Sequence, residues 1–245
     1  MRGGRKMIFG AILAGGVGSR MNIADMPKQF LPLGEKPIIV HTIEKFLLND
    51  KFDKIYVGVH ADWLLHMSDL LKKYSLADER IELVRGGKDR TESILNIIKK
   101  IENDESLRLS DNDIIVTHDS VRPFVTSRII DENISMALKF GACDTVVSSV
   151  DTIITSKQGD TIDSVPERST MYQGQTPQSF NLKLIKKLYD ELTIGEKNIL
   201  TDACKVCVLK NVPVRLVRGE YSNFKITTVT DYKIAQSMVG RLEID

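Results

Sequence analysis

Cysteine, tryptophan and net charge are all scarce in this 245-residue chain: three cysteines, one tryptophan, and 34 Lys and Arg against 33 Asp and Glu, a balance of +1. Three thiols in a chain of this size exclude a disulfide scaffold and point to a reducing, cytoplasmic setting. The near-zero balance excludes general attraction to nucleic acid or anionic membrane, so any anion recognition is local. Long apolar runs are missing as well. The longest, Met7 to Ala14, is interrupted by Gly10 and falls far short of the about 20 residues that a bilayer requires, so no membrane insertion is expected. The basic lead MRGGRK is not followed by the apolar stretch and cleavage site of a secretory signal. Residues 1–6 read as a non-native or disordered lead, with one domain over 7–240.

Two cysteines form Cys204-Lys205-Val206-Cys207, a spacing that a redox pair or half a zinc site would use. No second C-x-x-C exists, and the helix-like stretch TDACKVCVLKN puts i and i+3 on one face, so buried packing is expected.

What the chain does contain is an alternation of two periods. Strand-like runs at Met7–Leu13, Lys54–Val59, Ile81–Val84, Ile114–Thr117, Thr145–Val150 and Val214–Val217 are separated by helical stripes. Examples of the stripes are Ile39, Ile43, Phe46 and Leu47, then Ile94, Ile97, Ile98 and Ile101. Such alternation predicts an α/β fold whose mainly parallel sheet is covered on both faces. Residues 151–170 depart from it and read as a polar hairpin, turning near Gln158-Gly159-Asp160. A two-stranded excursion buries little alone, so it is expected to pack on something else, such as a second subunit. Helices near 182–192, 201–209 and 231–239 complete the chain.

After the first strand comes Ala14-Gly15-Gly16-Val17-Gly18-Ser19-Arg20, at the strand end where α/β sheets bind ligands. Glycines let backbone N–H groups approach a phosphate. Met21 stands where a dinucleotide fingerprint needs its third glycine, and no Gly-Lys-Ser/Thr occurs, so neither familiar phosphate motif applies. Arg20 and, eight residues on, Lys28 put two cations in one long connection, which suits a polyanion. Four further segments sit at expected element boundaries: Arg85–Arg90 (RGGKDR), His118–Pro123 (HDSVRP), Gln173–Gln178 (QGQTPQ) and Asn223–Thr228 (NFKITT). Asp119 falls at a strand end, where a hard cation bridging phosphates needs a carboxylate. His118 reads as a hydrogen-bonded core histidine rather than a ligand.

Taken in order, LAGGVGSRM, PKQF, GGKDR with Ser93, HDSVRP, the TPQ run, LTDA and NFKITT resemble the sugar-phosphate cytidylyltransferases. The match spans nearly the whole chain after Met7. Phrases such as THDSVRPF, YQGQTPQ and LTDACK are similar to the branch that uses ribitol 5-phosphate, which serves wall teichoic acid synthesis; another branch uses 2-C-methyl-D-erythritol 4-phosphate. The resemblance implies a Rossmann-like nucleotidyltransferase fold with a protruding β-arm, CTP and an alditol phosphate as substrates, and Mg²⁺. Residue by residue, it implies that Ala14, Gly15, Gly16, Val17, Gly18 and Ser19 line the nucleotide, with Arg20, Lys28 and Lys225 on the reacting phosphates. Gly87, Lys88, Arg90, Ser93 and Ser120 would hold the nucleoside side. Asp119 and Arg122 would face the acceptor phosphate and the metal, with Thr152, Arg168, Thr176 and Thr201 closing the acceptor pocket. The arm near 151–170 would cross into a homodimer partner. Lys88 departs from the acidic residue common there in the methylerythritol branch. Two other readings stay open: a nicotinamide-dependent oxidoreductase, disfavoured by Met21, and a catalytically silent sugar-nucleotide sensor, disfavoured by the retained Arg20, Lys28 and Lys225.

Overall fold

Side-chain parity along the strands decides how the layers assemble. In β1 (Ile8–Ala14), Ile12 and Ala14 join one apolar cluster while Phe9 and Ala11 join the other. A strand buried on both faces must be central. A computed structural model of the chain describes residues 5–16, 26–200 and 202–242, and in it β1 lies third from one edge of the sheet.

After β1 come the short strands β2 (Pro32–Leu33) and β3 (Lys36–Pro37), then α1 (Ile38–Leu47), β4 (Lys54–Val59), α2 (Leu64–Lys73), β5 (Ile81–Arg85) and α3 (Arg90–Glu102). β6 (Ile114–Asp119), α4 (Ser127–Phe140), β7 (Ala142–Ser148), β8 (Tyr172–Asn181) and α5 (Leu182–Asp190) follow. The chain closes with α6 (Ile194–Asn198), α7 (Ala203–Leu209), β9 (Arg215–Arg218) and α8 (Val229–Leu242). Seven strands form one sheet in the order β5-β4-β1-β6-β8-β7-β9. β8 runs antiparallel to both of its neighbours, and every other pairing in this sheet is parallel.

Helices α1, α2 and α4 cover one face through residues such as Ile43, Phe46, Met67 and Ile130. Helices α3, α5 and α7 cover the other through Ile97, Ile185 and Cys207. Cys204 and Cys207 share the buried face of α7, as their spacing predicts. A third cluster seats α8, through Tyr232 and Ala235, on Leu31, Leu33 and Ile226.

Strand and helix order agree with the periodicity, and the corrections are specific. Gln173–Gln178 is not an element boundary but the middle of β8. Its polar residues, Gly174 and Pro177 carry no apolar alternation, because the groups facing this strand are themselves polar. Asn133 of α4, fully buried, donates to Ile129 O (2.9 Å) and Thr145 Oγ1 (2.8 Å) and accepts from Ser179 Oγ (3.1 Å). The strand at Thr145–Val150 instead spans Ala142–Ser148. The expected helix at 182–192 ends at Asp190 and the separate α6 follows. The hairpin at 151–170 is slight: a single antiparallel bridge joins Thr155 to Ser164, with Gly159 at φ +86° in the turn, and nearly every residue of it is exposed. Among the described residues no helix is long and apolar enough to cross a membrane.

Replacing Asn133 by Leu keeps the branched shape but strips the two hydrogen bonds that link α4 to β7 and β8 and the one back to Ile129 O, and it leaves the Ser179 hydroxyl buried without this acceptor. Loss of about 2 kcal/mol is expected, read by urea unfolding; a change below about 0.5 kcal/mol would show that apolar packing alone holds this face.

Candidate active site

The carboxyl ends of β1, β5 and β6 converge on a cavity of about 200 Å³, lined by Leu13, Gly15, Gly16, Gly87, Lys88, Asp89, Arg90, Ser93, Asp119 and Lys225. Close backbone approach builds its wall. A Cβ on Gly87 would lie 2.4 Å from Glu92 Cβ, so glycine at 87 is required, and one on Gly15 would lie 3.1 Å from Ser93 Oγ, a tight contact. Ser93, buried, accepts from Gly87 N–H (3.0 Å) and donates to Asp89 O (2.8 Å), tying the loop to the start of α3. Asp89 caps that helix by accepting from Glu92 N–H (2.8 Å). The positive end of the α3 dipole therefore opens into the cavity. On the opposite wall Gln29, buried, donates to Ala14 O (2.9 Å) and Gly16 O (3.0 Å), which holds the start of the glycine loop. Lys28 precedes it in a single turn of 3₁₀ helix.

Asp119 is 6% exposed and is surrounded by cations. Arg90 Nη1 donates to its Oδ1, Lys225 Nζ stands 3.0 Å from Oδ2, and Arg122 Nε stands 3.4 Å from Oδ2. Burial alone would raise this carboxyl, but Arg90, Lys225 and Arg122 outweigh it and hold it far below the usual carboxylate range. One negative charge meets three positive ones, so the cluster has a surplus of two facing an anion-sized space.

Strand parity separates Asp119 from His118, which points to the other face against Phe46, ring centroids 5.3 Å apart. His118 Nε2 bonds Arg122 O (3.1 Å), which can only accept, so Nδ1 accepts from Thr176 Oγ1 (2.9 Å). That hydroxyl in turn accepts from Asp119 N–H (3.1 Å). Arg122 Nη1 donates to Asn223 O (2.8 Å), and Asn223 Nδ2 donates to Thr176 O (2.8 Å). The loop carrying Lys225 is thus pinned to β8 and β6 together. His118 is a hydrogen-bonded core residue, as expected.

Of the residues singled out in sequence, Gly15, Gly16, Gly87, Lys88, Arg90, Ser93, Asp119 and Lys225 line the cavity. Ala14, Ser120, Arg122 and Thr176 lie buried behind it. Thr152 and Arg168 stand apart on the exposed arm, where Arg168 Nη1 reaches Val150 O (3.3 Å). Val17, Gly18, Ser19, Arg20 and Thr201 lie outside the described residues. Gln29, Asn223 and Gln178 lie within the sequence motifs but carry no role there; what marks them is burial of an amide, which only the tertiary structure reveals.

A hard divalent cation prefers oxygen ligands, usually one or two carboxylates completed by phosphates and water. Asp119 is the buried carboxylate at the cavity wall and suits that chemistry. A second grouping, Asp144, Asp202 and Cys204, has ligand atoms within 4.8 Å of one another. Burial, followed by the nearby aspartates, holds the Cys204 thiol far above its ordinary range, so that grouping offers two carboxylates and a neutral sulfur.

Residues 8–241 match the family model of 2-C-methyl-D-erythritol 4-phosphate cytidylyltransferase. The chain belongs to this cytidylyltransferase family. The solved 4-diphosphocytidyl-2C-methyl-D-erythritol synthase of Anaerococcus prevotii is 27% identical, with a TM-score of 0.78 over 96% of this chain and 99% of that one. The 2-C-methyl-D-erythritol 4-phosphate cytidylyltransferase of Francisella tularensis is 25% identical, with a TM-score of 0.75 over 95% and 99%. The enzyme of Thermus thermophilus, at 22% identity and a TM-score of 0.72 over 96% and 99%, shares the fold. Nucleotidyl transfer, rather than hydride transfer, is the chemistry of this family.

Two titrations around the site oppose each other. Burial pushes the His118 ring down to about 3; the unfolded chain takes up this proton near 6.5, so stability is lost as pH falls between those values. Burial, followed by Asp202, pushes the Asp144 carboxyl up to about 7; here the folded state binds the proton first, so stability is gained as pH falls from 7 towards 4. Each slope is at most roughly 1.4 kcal/mol per pH unit. From pH 6.5 to 4.5, urea unfolding should show stability falling in Asp144→Asn and rising in His118→Gln. Equal slopes in both variants would remove the two groups from the balance.

Proposed function

We propose that this protein transfers the cytidylyl group of CTP to D-ribitol 5-phosphate, giving CDP-ribitol and pyrophosphate. Membership of a cytidylyltransferase family supports the reaction class. The observation that carries the site is the Asp119 cluster, where Arg90, Arg122 and Lys225 gather at a glycine-walled cavity. An acceptor phosphate oxygen attacks the α-phosphorus of CTP; one P–O bond forms as the bond to the β-phosphate oxygen breaks, and pyrophosphate leaves with the electron pair. The attacking oxygen is already ionised, so no base is required. The nearby His118 does not serve as one: its ring is kept neutral and tied by both nitrogens. Positioning and charge neutralisation remain, the usual demands of transfer at phosphorus.

Lys225, anchored beside Asp119, and Lys28 and Arg20, on the connection after β1, would neutralise the triphosphate. Gly15 to Ser19 would line the nucleotide, and Gly87 to Arg90 with Ser93 and Ser120 its nucleoside side. Asp119 is the residue that would hold a divalent cation, which when bound supplies further neutralisation of phosphate oxygens. Arg122, Thr176 and Thr201 would meet the acceptor. Three free buried thiols suit a cytoplasmic enzyme. The arm leaves Ile154, Ile162 and Val165 more than half exposed, which supports a homodimer in which Thr152 and Arg168 complete the partner's acceptor pocket.

Both relatives carry 2-C-methyl-D-erythritol in their names, which favours its 4-phosphate as acceptor, the second reading. At 25–27% identity the few side chains around an acceptor are free to differ. Ribitol phosphate is supported by Ser120, Gln173-Gly174-Gln175 and Asp202–Lys205, which resemble the ribitol branch. Extra hydroxyls reward a pocket built to hydrogen-bond them.

With CTP and Mg²⁺ saturating, kcat/KM for ribitol 5-phosphate should exceed that for 2-C-methylerythritol 4-phosphate by about 10²-fold or more. Equal or inverted efficiencies would transfer the assignment to the second reading. Lys225→Ala should lower kcat by about 10²-fold or more with little change in melting temperature. Mixing Arg168→Ala with Lys225→Ala chains should restore activity in verified heterodimers if the arm crosses; no recovery would remove Arg168 from the partner's site.

A further inference from the structure

Gln178 belongs to the QGQTPQ run but has no part in the chemistry described so far. It sits in the middle of β8, opposite Asp144 of β7 and Thr117 of β6, and is fully buried. Its amide orientation is fixed by its neighbours. Nε2 donates to Asp144 Oδ1 (3.1 Å) and Asp202 Oδ2 (2.7 Å), two carboxylates, while Oε1 accepts from Arg90 Nη2 (3.2 Å). Arg90 spends its other terminal nitrogen on Asp119, and among the described residues its buried Nε has no hydrogen-bond partner. Among those residues the guanidinium is aimed by two acceptors, Asp119 in front and Gln178 behind.

Behind the amide stand two carboxylates that also attract Arg90. Interposed between them, Gln178 turns that attraction into a polarised hydrogen bond rather than a competing ion pair. Without it, Arg90 can swing towards Asp202, and Asp119 would then hold Lys225 more tightly and draw it from the phosphates. A glutamate at 178 would set a third carboxylate against two, and a methionine would supply neither donor nor acceptor.

We propose that Gln178 is a positioning residue: its amide, anchored on Asp144 and Asp202, aims Arg90 at Asp119 and so sets the electrostatics of the transfer site. The proposal rests on cytidylyl transfer at this site, not on which polyol phosphate accepts.

The test is a double-mutant cycle, Gln178→Met and Arg90→Met alone and together, on the full chain, read in kcat/KM, CTP affinity by calorimetry, and melting temperature. Gln178→Met is expected to lower kcat/KM by at least 10-fold and weaken CTP several-fold in the wild-type background, and to change either by less than 2-fold when Arg90 is already Met. A role confined to folding would lower melting temperature and scale both backgrounds alike. Equal factors in the two backgrounds, or less than 2-fold in the wild type, would overturn the proposal. If Gln178→Met does not fold, Gln178→Asn, which keeps a neutral amide but shortens its reach to Arg90, enters the same cycle under the same criteria. Should the wild type turn over neither acceptor, the functional reading fails while the CTP-affinity cycle still decides the role of Gln178.

Discussion

A carboxylate taken out of water among three cations is the constraint around which this site is organised. An isolated buried carboxylate would cost many kcal/mol or would protonate. Asp119 does neither, because Arg90 from α3, Arg122 from the turn after β6 and Lys225 from the loop before α8 converge on it. Each of those cations must be delivered by a different stretch of chain. The cluster thereby ties three separate stretches of chain together at the site. The surplus of positive charge is an unfavourable arrangement until an anion arrives, which is the condition under which preorganised charge stabilises a transferring phosphate.

The antiparallel strand β8 makes that delivery possible. A polar strand in the interior is tolerated only when its side chains are paired. Here Thr176 links His118 to the Asp119 backbone, Gln175 and the Thr176 carbonyl hold Asn223, and Ser179 meets Asn133. Reversing one strand in an otherwise parallel sheet brings residues 175–178 beside the end of β6. Membership of the family accounts for the reaction class that this arrangement serves.

Much of the architecture was legible from periodicity. Lys54–Val59 forms a strand with the predicted ends, the α3 stripe Ile94, Ile97, Ile98 and Ile101 is buried, and Cys204 and Cys207 pack on one face. Those signals survive because apolar burial on a helix or a two-faced strand leaves a mark in the order of residues. The glycines and charged residues at 15–16, 87–90, 119 and 225 were legible for a related reason, since they occur where strands end and helices begin.

β8 was not legible as a strand, because polar side chains satisfied by partners far along the chain carry no period. The same holds for Gln178, whose three partners at 90, 144 and 202 meet only in the folded state. Local composition therefore determined the α/β alternation and the chemical types at the site. Only the tertiary structure decided which charges share one carboxylate and which amide holds them there, because those contacts join residues separated by up to about a hundred positions.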